Sequence, residues 1–338
     1  MKRLLSLSVI MLLLLTAIFA AGCGTKEPAA DDKAAGDKKT EIAYPEKPVK
    51  IIVGRKAGGS SDIVMRTLQP YLQKYLGVPV VIENVTGAGG MVAAKQVQNA
   101  PADGYTLLTM VNPTEVLTEI FLGNAPPFKE FAYVYNVAGK ESNGIAVRPD
   151  SEFNTIDDLI KAGKERKLLY AAVTGLSNST LGYAMLADKT GLEFTHIPYS
   201  SGTEATMAVV GGHADITIAS LMSLRPLVES GEVRLLTYFA EEPMEDMKDV
   251  ERFGDKYDGV GYSSSVGLIA PPGTPDEVVA VLVEAMDKAI QDPEFLEKAK
   301  TAFAIDPKGG EDYKNYVFGL YDYAEEIRPV IESALATK

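Results

Sequence analysis

VKIIVGRKAGGSSDIVMRTLQPYLQKYL, residues 49–76, is the stretch that decides the fold. Its apolar start, Val49–Val53, is long enough for a buried strand and too short for a helix. After a loop rich in glycine and serine, apolar residues recur at helical spacing until Gly77 and Pro79 end the pattern. The stretch therefore predicts a strand that delivers a loop to the start of a helix.

The loop between this strand and this helix, Gly54–Asp62, combines features of an anion site. The first turn of a helix carries unpaired backbone N–H groups and a partial positive charge. Glycines allow close approach to that backbone, serine hydroxyls add donors, and Arg55 and Lys56 add formal positive charge. An ordinary turn with a helix N-cap is an alternative interpretation, and the loop matches neither of the common nucleotide-binding motifs.

The N-terminus has the pattern of a secretory signal. Basic residues at 2–3 precede an almost uninterrupted apolar run over 4–21, and small residues follow it. A membrane-spanning anchor is the alternative, since the run approaches the minimum length for one. The segment Ala20-Ala21-Gly22-Cys23 resembles a bacterial lipoprotein cleavage site. This resemblance implies that residues 1–22 are removed and that Cys23 carries a lipid.

Composition limits the partners and cofactors that this chain is expected to bind. From Cys23 to about Ala43 the chain lacks an apolar period, which predicts a solvated, flexible tether. Loss of residues 1–22 removes one Lys and one Arg, so the net charge would change from −13 to −15. Such an acidic body argues against a nucleic-acid partner. With one cysteine and two histidines in the whole chain, we predict no disulfide, no metal site and no cofactor.

Strand-like runs alternate with helical runs through residues 44–338, which are enough for two lobes of ordinary size. This alternation predicts an α/β fold with mostly parallel sheets. Further predicted strands are Val80–Glu83, Tyr105–Val111, Tyr133–Val137, Gly144–Val147, Leu168–Val173, Phe194–Pro198, Asp215–Ala219, Val233–Tyr238 and Val266–Ala270. Predicted helices lie near 62–76, 90–99, 156–165, 179–190, 203–211, 276–290, 293–303 and 312–335, with marked starts at Thr274-Pro275 and Asp292-Pro293.

Two further polar loops follow predicted strands and precede predicted helices. They are Thr174–Thr180 and Pro198–Glu204, and both are rich in hydroxyl groups. In open α/β sheets, ligands lie at the carboxyl ends of the strands, where such loops meet. Together with the first loop, they predict a cleft lined from both lobes. Plain helix capping remains the alternative for each loop taken singly.

A set of short motifs runs through the chain from Tyr44 to the C-terminus. In order they are Tyr44-Pro45-x-Lys47-Pro48, Gly58-Gly59-Ser60-Ser61-Asp62, Glu83-Asn84-x-x-Gly87-Ala88-Gly89-Gly90, Pro101-x-Asp103-Gly104-Tyr105-Thr106-Leu107, His196-x-Pro198-Tyr199, Gly211-Gly212-His213-x-Asp215 and Ala270-Pro271-x-Gly273-Thr274-Pro275. As a set they resemble the substrate-binding receptors of tripartite tricarboxylate transporters, the TctC or Bug family of periplasmic binding proteins.

The resemblance implies a monomeric periplasmic-binding-protein fold of two lobes joined by a hinge. Such a receptor closes on a small carboxylate and delivers it to a two-component integral membrane permease. By position in that fold the lobe crossings are expected near Gly139–Gly144 and Gly261–Val266, where glycines and serines cluster, which predicts lobe one at 44–140 with 265–338, and lobe two at 141–264. The expected location is extracytoplasmic, with a lipid anchor in the cell membrane.

The resemblance also implies which residues contact the ligand. Those carried over by position are Gly58, Gly59, Ser60, Ser61 and Asp62, then Ser177, Asn178, Ser179 and Thr180, then Tyr199, Ser201, Gly202 and Thr203. Arg55 stands in a segment that departs from the usual family pattern. Our hypothesis is that Arg55 faces the cleft and favours a ligand with more than one carboxylate. The alternatives are that it points to solvent or pairs with an acidic residue.

Three function classes follow from these observations. A transport receptor is favoured, with a di- or tricarboxylate as the expected ligand. An extracytoplasmic carboxylate sensor with a signalling partner would have the same fold and the same ligand. An enzyme is disfavoured, because no nucleophile has a base at motif spacing and Ser177–Thr180 lacks the Gly-x-Ser-x-Gly pattern.

Overall fold

The computed structural model describes residues 43–257 and 260–336. The predicted signal segment, Cys23 and nearly all of the predicted tether lie outside these residues. Within the described residues, no helix is both long enough and apolar enough to cross a membrane.

Eleven strands and twelve α-helices make up the described chain. The strands are β1 Val49–Val53, β2 Val80–Asn84, β3 Thr106–Asn112, β4 Ala132–Glu141, β5 Asn143–Val147, β6 Leu168–Val173, β7 Phe194–Tyr199, β8 Ile216–Ser220, β9 Arg234–Tyr238, β10 Ser264–Ala270 and β11 Ile305–Gly309. The helices are α1 Ser60–Leu76, α2 Met91–Gln98, α3 Thr114–Leu122, α4 Ile156–Glu165, α5 Asn178–Thr190, α6 Gly202–Val210, α7 Leu221–Glu229, α8 Phe253–Lys256, α9 Asp276–Ile290, α10 Pro293–Lys300, α11 Gly310–Glu326 and α12 Arg328–Ala336.

The strands form two sheets, which confirms the predicted α/β class. The first sheet has six strands in the order β11-β4-β10-β3-β1-β2, and the second has five in the order β7-β6-β8-β5-β9. The prediction of mostly parallel sheets is wrong, because β10 and β5 are antiparallel to both of their neighbours. The cause is the way the chain changes sheet. It leaves the first sheet at the end of β4 and returns at the start of β10, so Ser264 pairs with Glu141.

The opening strand, loop and helix form as predicted. Val49, Ile51, Ile52 and Val53 of β1 are fully buried, and β1 lies parallel to β2 and β3. Helix α1 begins two residues before the predicted start and ends at Gly77, whose φ of 73° is left-handed. Glycine adopts that conformation without a Cβ penalty, which explains why the helix stops there.

Several element predictions need correction. Helix α9 begins at Asp276 as predicted, but Thr274 donates its hydroxyl to Pro271 O instead of capping the helix. The long helix predicted over 312–335 is two helices, α11 and α12, separated at Ile327. Sequence reasoning missed α3, α7, α8 and the edge strand β11. By contrast, Asp292 caps α10 as predicted, accepting from Glu294 N at 3.0 Å.

Each sheet has its own apolar core. Leu68 of α1, Leu268 of β10 and Phe295 of α10 are fully buried against the first sheet. Tyr170 and Phe239 fill the core of the second sheet. Helix α12 packs on α5, and its Ile331 is buried in the core of the second sheet. The boundaries proposed for the two lobes stay a prediction. The packing of α12 on the second sheet is a contact that the sequence did not indicate.

Candidate functional site

A cleft of about 530 Å³ lies where loops of the two sheets meet. From the first sheet it is lined by residues that follow β1 and β2, and from the second by residues that follow β6 and β7. The paired crossing strands β4 and β10 also contribute, through Glu141 and Ser264 among others. This volume suits a small organic ligand.

The N-termini of helices from both sheets converge on this cleft. Ser60, Asn178 and Gly202, the first residues of α1, α5 and α6, all line it. In the described chain no side chain caps α1, so its first-turn N–H groups remain available. Ser177 caps α5 through Thr180 N at 3.3 Å, and Ser201 caps α6 through Glu204 N at 3.2 Å. The cleft is therefore rich in donors and in the positive ends of helix dipoles, which attract anions.

A glycine loop between β2 and α2 forms one wall of the cleft. Gly87, Gly89 and Gly90 all have positive φ and all line the cavity. A Cβ on Gly89 would lie 3.8 Å from Leu176 O of the second-sheet side, and a Cβ on Gly90 would lie 3.0 Å from Arg55 Nη1. The glycines thus let this loop approach both Arg55 and the opposite wall. The run Gly87-Ala88-Gly89-Gly90 marked this loop in the sequence, although we did not predict it as a site.

Arg55 lines the cleft, as our hypothesis states, and it also pairs with an acidic residue, as one of the alternatives states. Its Nη1 donates to Gly89 O, and its Nη2 lies 3.1 Å from Glu115 Oε1. Glu115 is buried, and burial raises the pKa of its carboxyl to about 7 even though Arg55 acts in the opposite direction. Sequence reasoning missed Glu115 because it missed α3. The helical spacing of Val116, Leu117 and Ile120 would have indicated that helix.

Two contacts connect the walls of the cleft. Lys56, from the loop after β1, donates to Glu204 Oε1 at 2.5 Å and to Ser200 Oγ at 2.6 Å, both from the loop after β7. Thr114 Oγ1 donates to Asn178 Oδ1 at 2.7 Å. The second contact joins the N-terminus of α3 to that of α5. Polar side chains from the two sheets therefore touch across the cleft.

Acidic side chains balance the cationic ones around the cleft. Glu141 is buried at the end of β4, where Arg225 Nη1 lies 3.2 Å from its Oε2 and Ala304 N lies 3.2 Å from its Oε1. Burial raises its pKa, and the charge of Arg225 opposes that effect. Over 43–257 and 260–336, no three His, Cys, Asp or Glu side chains group as metal ligands. The backbone and hydroxyl donors that line the cleft can form hydrogen bonds to an anion.

The structure brings together nine of the predicted ligand-binding residues. Those that line the cleft are Arg55, Gly59, Ser60, Ser177, Asn178, Ser179, Ser201, Gly202 and Thr203. Those that lie off its lining are Gly58, Ser61, Asp62, Thr180 and Tyr199.

Two of the residues off the lining, Asp62 and Thr180, hold the loops in shape. Asp62 is buried and accepts from Gly58 N and Asn84 Nδ2, each at 2.9 Å, and it also pairs with Arg66. Burial opposes ionisation of Asp62, yet hydrogen bonds from these three partners keep its pKa below the usual range. Thr180 Oγ1 donates to Gly175 O at 3.0 Å. Asp62 and Thr180 therefore make positioning contacts, and the ligand contacts that we predicted for them stay a prediction.

Comparisons with known proteins agree on one family. The sequence model of the family described as "Tripartite tricarboxylate transporter family receptor" (TctC) matches residues 64–332. The UPF0065 protein in gbd 5'region of Cupriavidus necator is 35% identical over 256 residues, covering 75% of this chain and 78% of that protein.

Solved structures add a likeness in fold. The periplasmic binding protein BugD has a TM-score of 0.78 at 26% identity, covering 85% of this chain and 98% of BugD. MatC from Rhodopseudomonas palustris, solved with bound malate, has a TM-score of 0.77 at 23% identity, covering 85% of this chain and 100% of MatC. The likeness to BugD confirms the predicted periplasmic-binding-protein fold, and that to MatC shows the fold alone.

Proposed function

This chain belongs to the TctC family of tripartite tricarboxylate transporter receptors, and from that premise we propose that it captures a small carboxylate and delivers it to a two-component membrane permease. The family consists of solute-binding proteins, which fits the prediction that the chain is not an enzyme. Capture takes place in the cleft between the two sheets. Delivery follows when the permease recognises the ligand-bound receptor.

The observation that carries this proposal is the convergence of α1, α5 and α6 on one cleft. An anion placed there meets first-turn N–H groups and the hydroxyls of Ser60, Ser177 and Thr203. Charge-assisted hydrogen bonds contribute roughly 1.5–3 kcal/mol each. Four to six such bonds, offset by the entropy of immobilising the ligand, fit micromolar binding at about −8 kcal/mol.

A ligand with two or three carboxylates fits this cleft best. Helix α1 belongs to the first sheet, whereas α5 and α6 belong to the second, so donors stand on opposite walls. One carboxylate can then bind each wall and hold the walls together, which shifts the population towards a closed form. MatC, which shares the fold, was solved with the dicarboxylate malate.

The proposal includes an extracytoplasmic lipoprotein. Its support is the basic and apolar start of the sequence, followed by the segment Ala20-Ala21-Gly22-Cys23. A lipid on Cys23 and a polar tether up to about Ala43 would hold the receptor near the permease. Replacing Cys23 by Ser should abolish incorporation of radiolabelled fatty acid in cells. Equal labelling of both proteins would refute the anchor and leave the binding proposal untouched.

A ligand screen tests the binding proposal. We expect citrate, malate or succinate to raise the melting temperature of the protein lacking residues 1–23, and calorimetry to give micromolar affinity. The matched control is the best ligand with every carboxylate converted to an amide, because it keeps the size and removes the charge. If no carboxylate stabilises the protein, or if the amide binds equally well, the proposal is wrong.

A further inference from the structure

The guanidinium of Arg55 faces the cleft with its charge already compensated. Its Nη2 lies 3.1 Å from Glu115 Oε1, and its Nη1 donates to Gly89 O. A guanidinium has five N–H donors, so three remain for a ligand. The side chain of Arg55 is 26% exposed and that of Glu115 is 6% exposed, so Arg55 stands between Glu115 and the cleft.

Arg55 is the strongest of the influences that favour the ionised form of Glu115, and hydrogen bonds from the backbone of Val111 and Glu115 lower its pKa less. Its Oε2 has no hydrogen-bond partner among the described side chains and backbone groups. A buried carboxylate that loses its counter-ion is strongly disfavoured and becomes protonated instead. In agreement with this geometry, burial raises the pKa of Glu115 to about 7 while Arg55 is in place.

The other charged or titratable groups near Glu115 do not replace Arg55. On its own helix, Glu119 accepts from Phe128 N at 3.0 Å and from Tyr321 OH at 2.5 Å. From α11, Tyr313 is neutral because burial raises its pKa far above the usual value. From the 3₁₀ turn at 128–130, Lys129 lies over the Tyr321 ring, 4.0 Å from its centroid. Strand β3 presents only uncharged side chains.

We propose that Glu115 is a further determinant of ligand binding, because Glu115 takes up a proton when a ligand carboxylate binds to Arg55. This inference rests on the proposed function. The ligand carboxylate shares the positive charge of Arg55 and places a second negative charge close to Glu115. A proton from solvent then converts the Glu115 carboxylate to the neutral acid. The net charge of the bound cluster is restored, and the ligand keeps the cation.

Calorimetry measures this proton directly. Malate, succinate and citrate are titrated into the purified protein at about pH 7.5, where ligand carboxyls of ordinary pKa are ionised. Buffers of different ionisation enthalpy give the number of protons taken up per ligand bound. We expect an uptake of up to about one proton per ligand bound. The affinity should fall by up to about tenfold per pH unit above the Glu115 pKa.

The decisive variant is Glu115→Gln, which keeps the size and removes the charge. We expect it to take up no proton and to bind the same ligand about tenfold more tightly near pH 8, because Arg55 becomes an uncompensated cation. A residue that serves only to hold Arg55 in place would weaken binding when changed. The matched control is Glu119→Gln, one turn away on α3, which should keep the proton uptake of the unmodified protein. Subtracting the proton uptake of Glu115→Gln from that of the unmodified protein also removes any contribution of the two histidines.

The possible outcomes separate this inference from the proposed function. If a carboxylate binds but proton uptake is zero, or is unchanged in Glu115→Gln, the inference is wrong and the proposed function stands. If none of the three carboxylates binds, both are wrong. Should Glu115→Gln not fold, infrared difference spectra of the unmodified protein decide the question. Ligand binding should produce a protonated-carboxyl C=O band, and its absence overturns the inference.

Discussion

In the function proposed above, single side chains at the helix N-termini contribute to holding the anion. Asn178 is the first residue of α5, lines the cleft and accepts from Thr114 Oγ1 at 2.7 Å, so it contributes to the lining and to the contact between the walls. Asn154 lies just before α4, where it is exposed and far from the lining residues in sequence. The two side chains are chemically the same, but only that of Asn178 lines the cleft.

Truncation of these asparagines tests the placement. We expect Asn178→Ala to weaken carboxylate binding by roughly ten- to a hundredfold, since a hydrogen bond to a charged group contributes about 1.5–3 kcal/mol. Asn154→Ala should leave the dissociation constant unchanged. Calorimetry with the best ligand of the screen measures both. Equal losses in the two variants would remove Asn178 from the site.

Glu115 also makes stability depend on pH. Its folded-state pKa of about 7 lies above the ordinary value of 4.5, so the folded state binds the proton more tightly than the unfolded state. The contribution of Glu115 to stability therefore falls as pH rises between these two values and is constant above them. Relative to Glu115→Gln, the unmodified protein should lose on the order of 1–3 kcal/mol between about pH 5 and pH 8. Urea unfolding of both proteins at the two pH values measures this difference, and parallel pH profiles would contradict it.

At the scale of elements, the sequence predicts what local periodicity encodes. Strand β6 and helices α4 and α9 have the predicted ends, because each has a clear apolar period and a polar boundary. Helix α3 was missed although its period is present, since it follows β3 after a single residue, Pro113, and looks like part of one apolar run. The antiparallel course of β5 and β10 has no local signal, because it depends on where the chain changes sheet.

Prediction of the site residues has the same limit, because sequence reasoning finds local patterns and not long-range contacts. Sequence reasoning found the loops after β1, β6 and β7, because glycine and hydroxyl clusters after a strand are visible without a structure. It did not find Glu115, whose role arises from a contact with a residue 60 positions away. It also did not find that Asp62 accepts a hydrogen bond from Gly58 N, because that contact depends on the three-dimensional shape of the loop.

The glycine loop after β2 is the element whose shape the cleft depends on most directly. In Gly90→Ala, the new Cβ would lie 3.0 Å from Arg55 Nη1 at a φ of +96°. We expect a loss of roughly 1–2 kcal/mol in stability from the backbone conformation, together with weaker ligand binding because Arg55 must move. Chemical denaturation and calorimetry measure the two effects.

Gly77→Ala is the matched control for this loop. Its φ of +73° carries a similar backbone penalty, but nothing lies within 4 Å of the new Cβ. Stability should fall in both variants, whereas affinity should fall only in Gly90→Ala. If Gly77→Ala lost as much affinity, the loss would reflect general destabilisation and not the shape of the loop.

At the scale of the whole molecule, the cleft belongs to no single segment of the chain. The loop after β1, the glycine loop, the crossing strands and the N-termini of α5 and α6 are distant in sequence. They meet because the chain builds part of the first sheet, then the second, and then returns to the first. In the function proposed above, contacts between the walls couple ligand binding to the spacing of the two sheets.

The ion pair between Lys56 and Glu204 is the clearest of these contacts. The Nζ–Oε1 distance is 2.5 Å, and hydrogen bonds from Lys56 and Ser200 lower the pKa of Glu204 to about 2, so the pair persists at any physiological pH. Both side chains are close to half exposed, so the contribution to binding is small and is screened by salt. We expect Lys56→Met to weaken carboxylate binding by only a few-fold at low ionic strength, and the difference from the unmodified protein to shrink as salt is added.

A second exposed pair provides the control for this prediction. Lys50 and Glu83 lie 2.8 Å apart with almost the same exposure, but both belong to the first sheet, on β1 and β2. Lys50→Met removes a similar charge without touching the opposite wall, so ligand affinity should be unchanged at every salt concentration. Calorimetric titrations of the two variants across a salt series separate the cases. Lys56 also lines the cleft whereas Lys50 does not, so Lys56→Met removes both a cation of the cleft and the contact between its walls. Equal affinities in Lys56→Met and Lys50→Met would mean that neither contributes to capture.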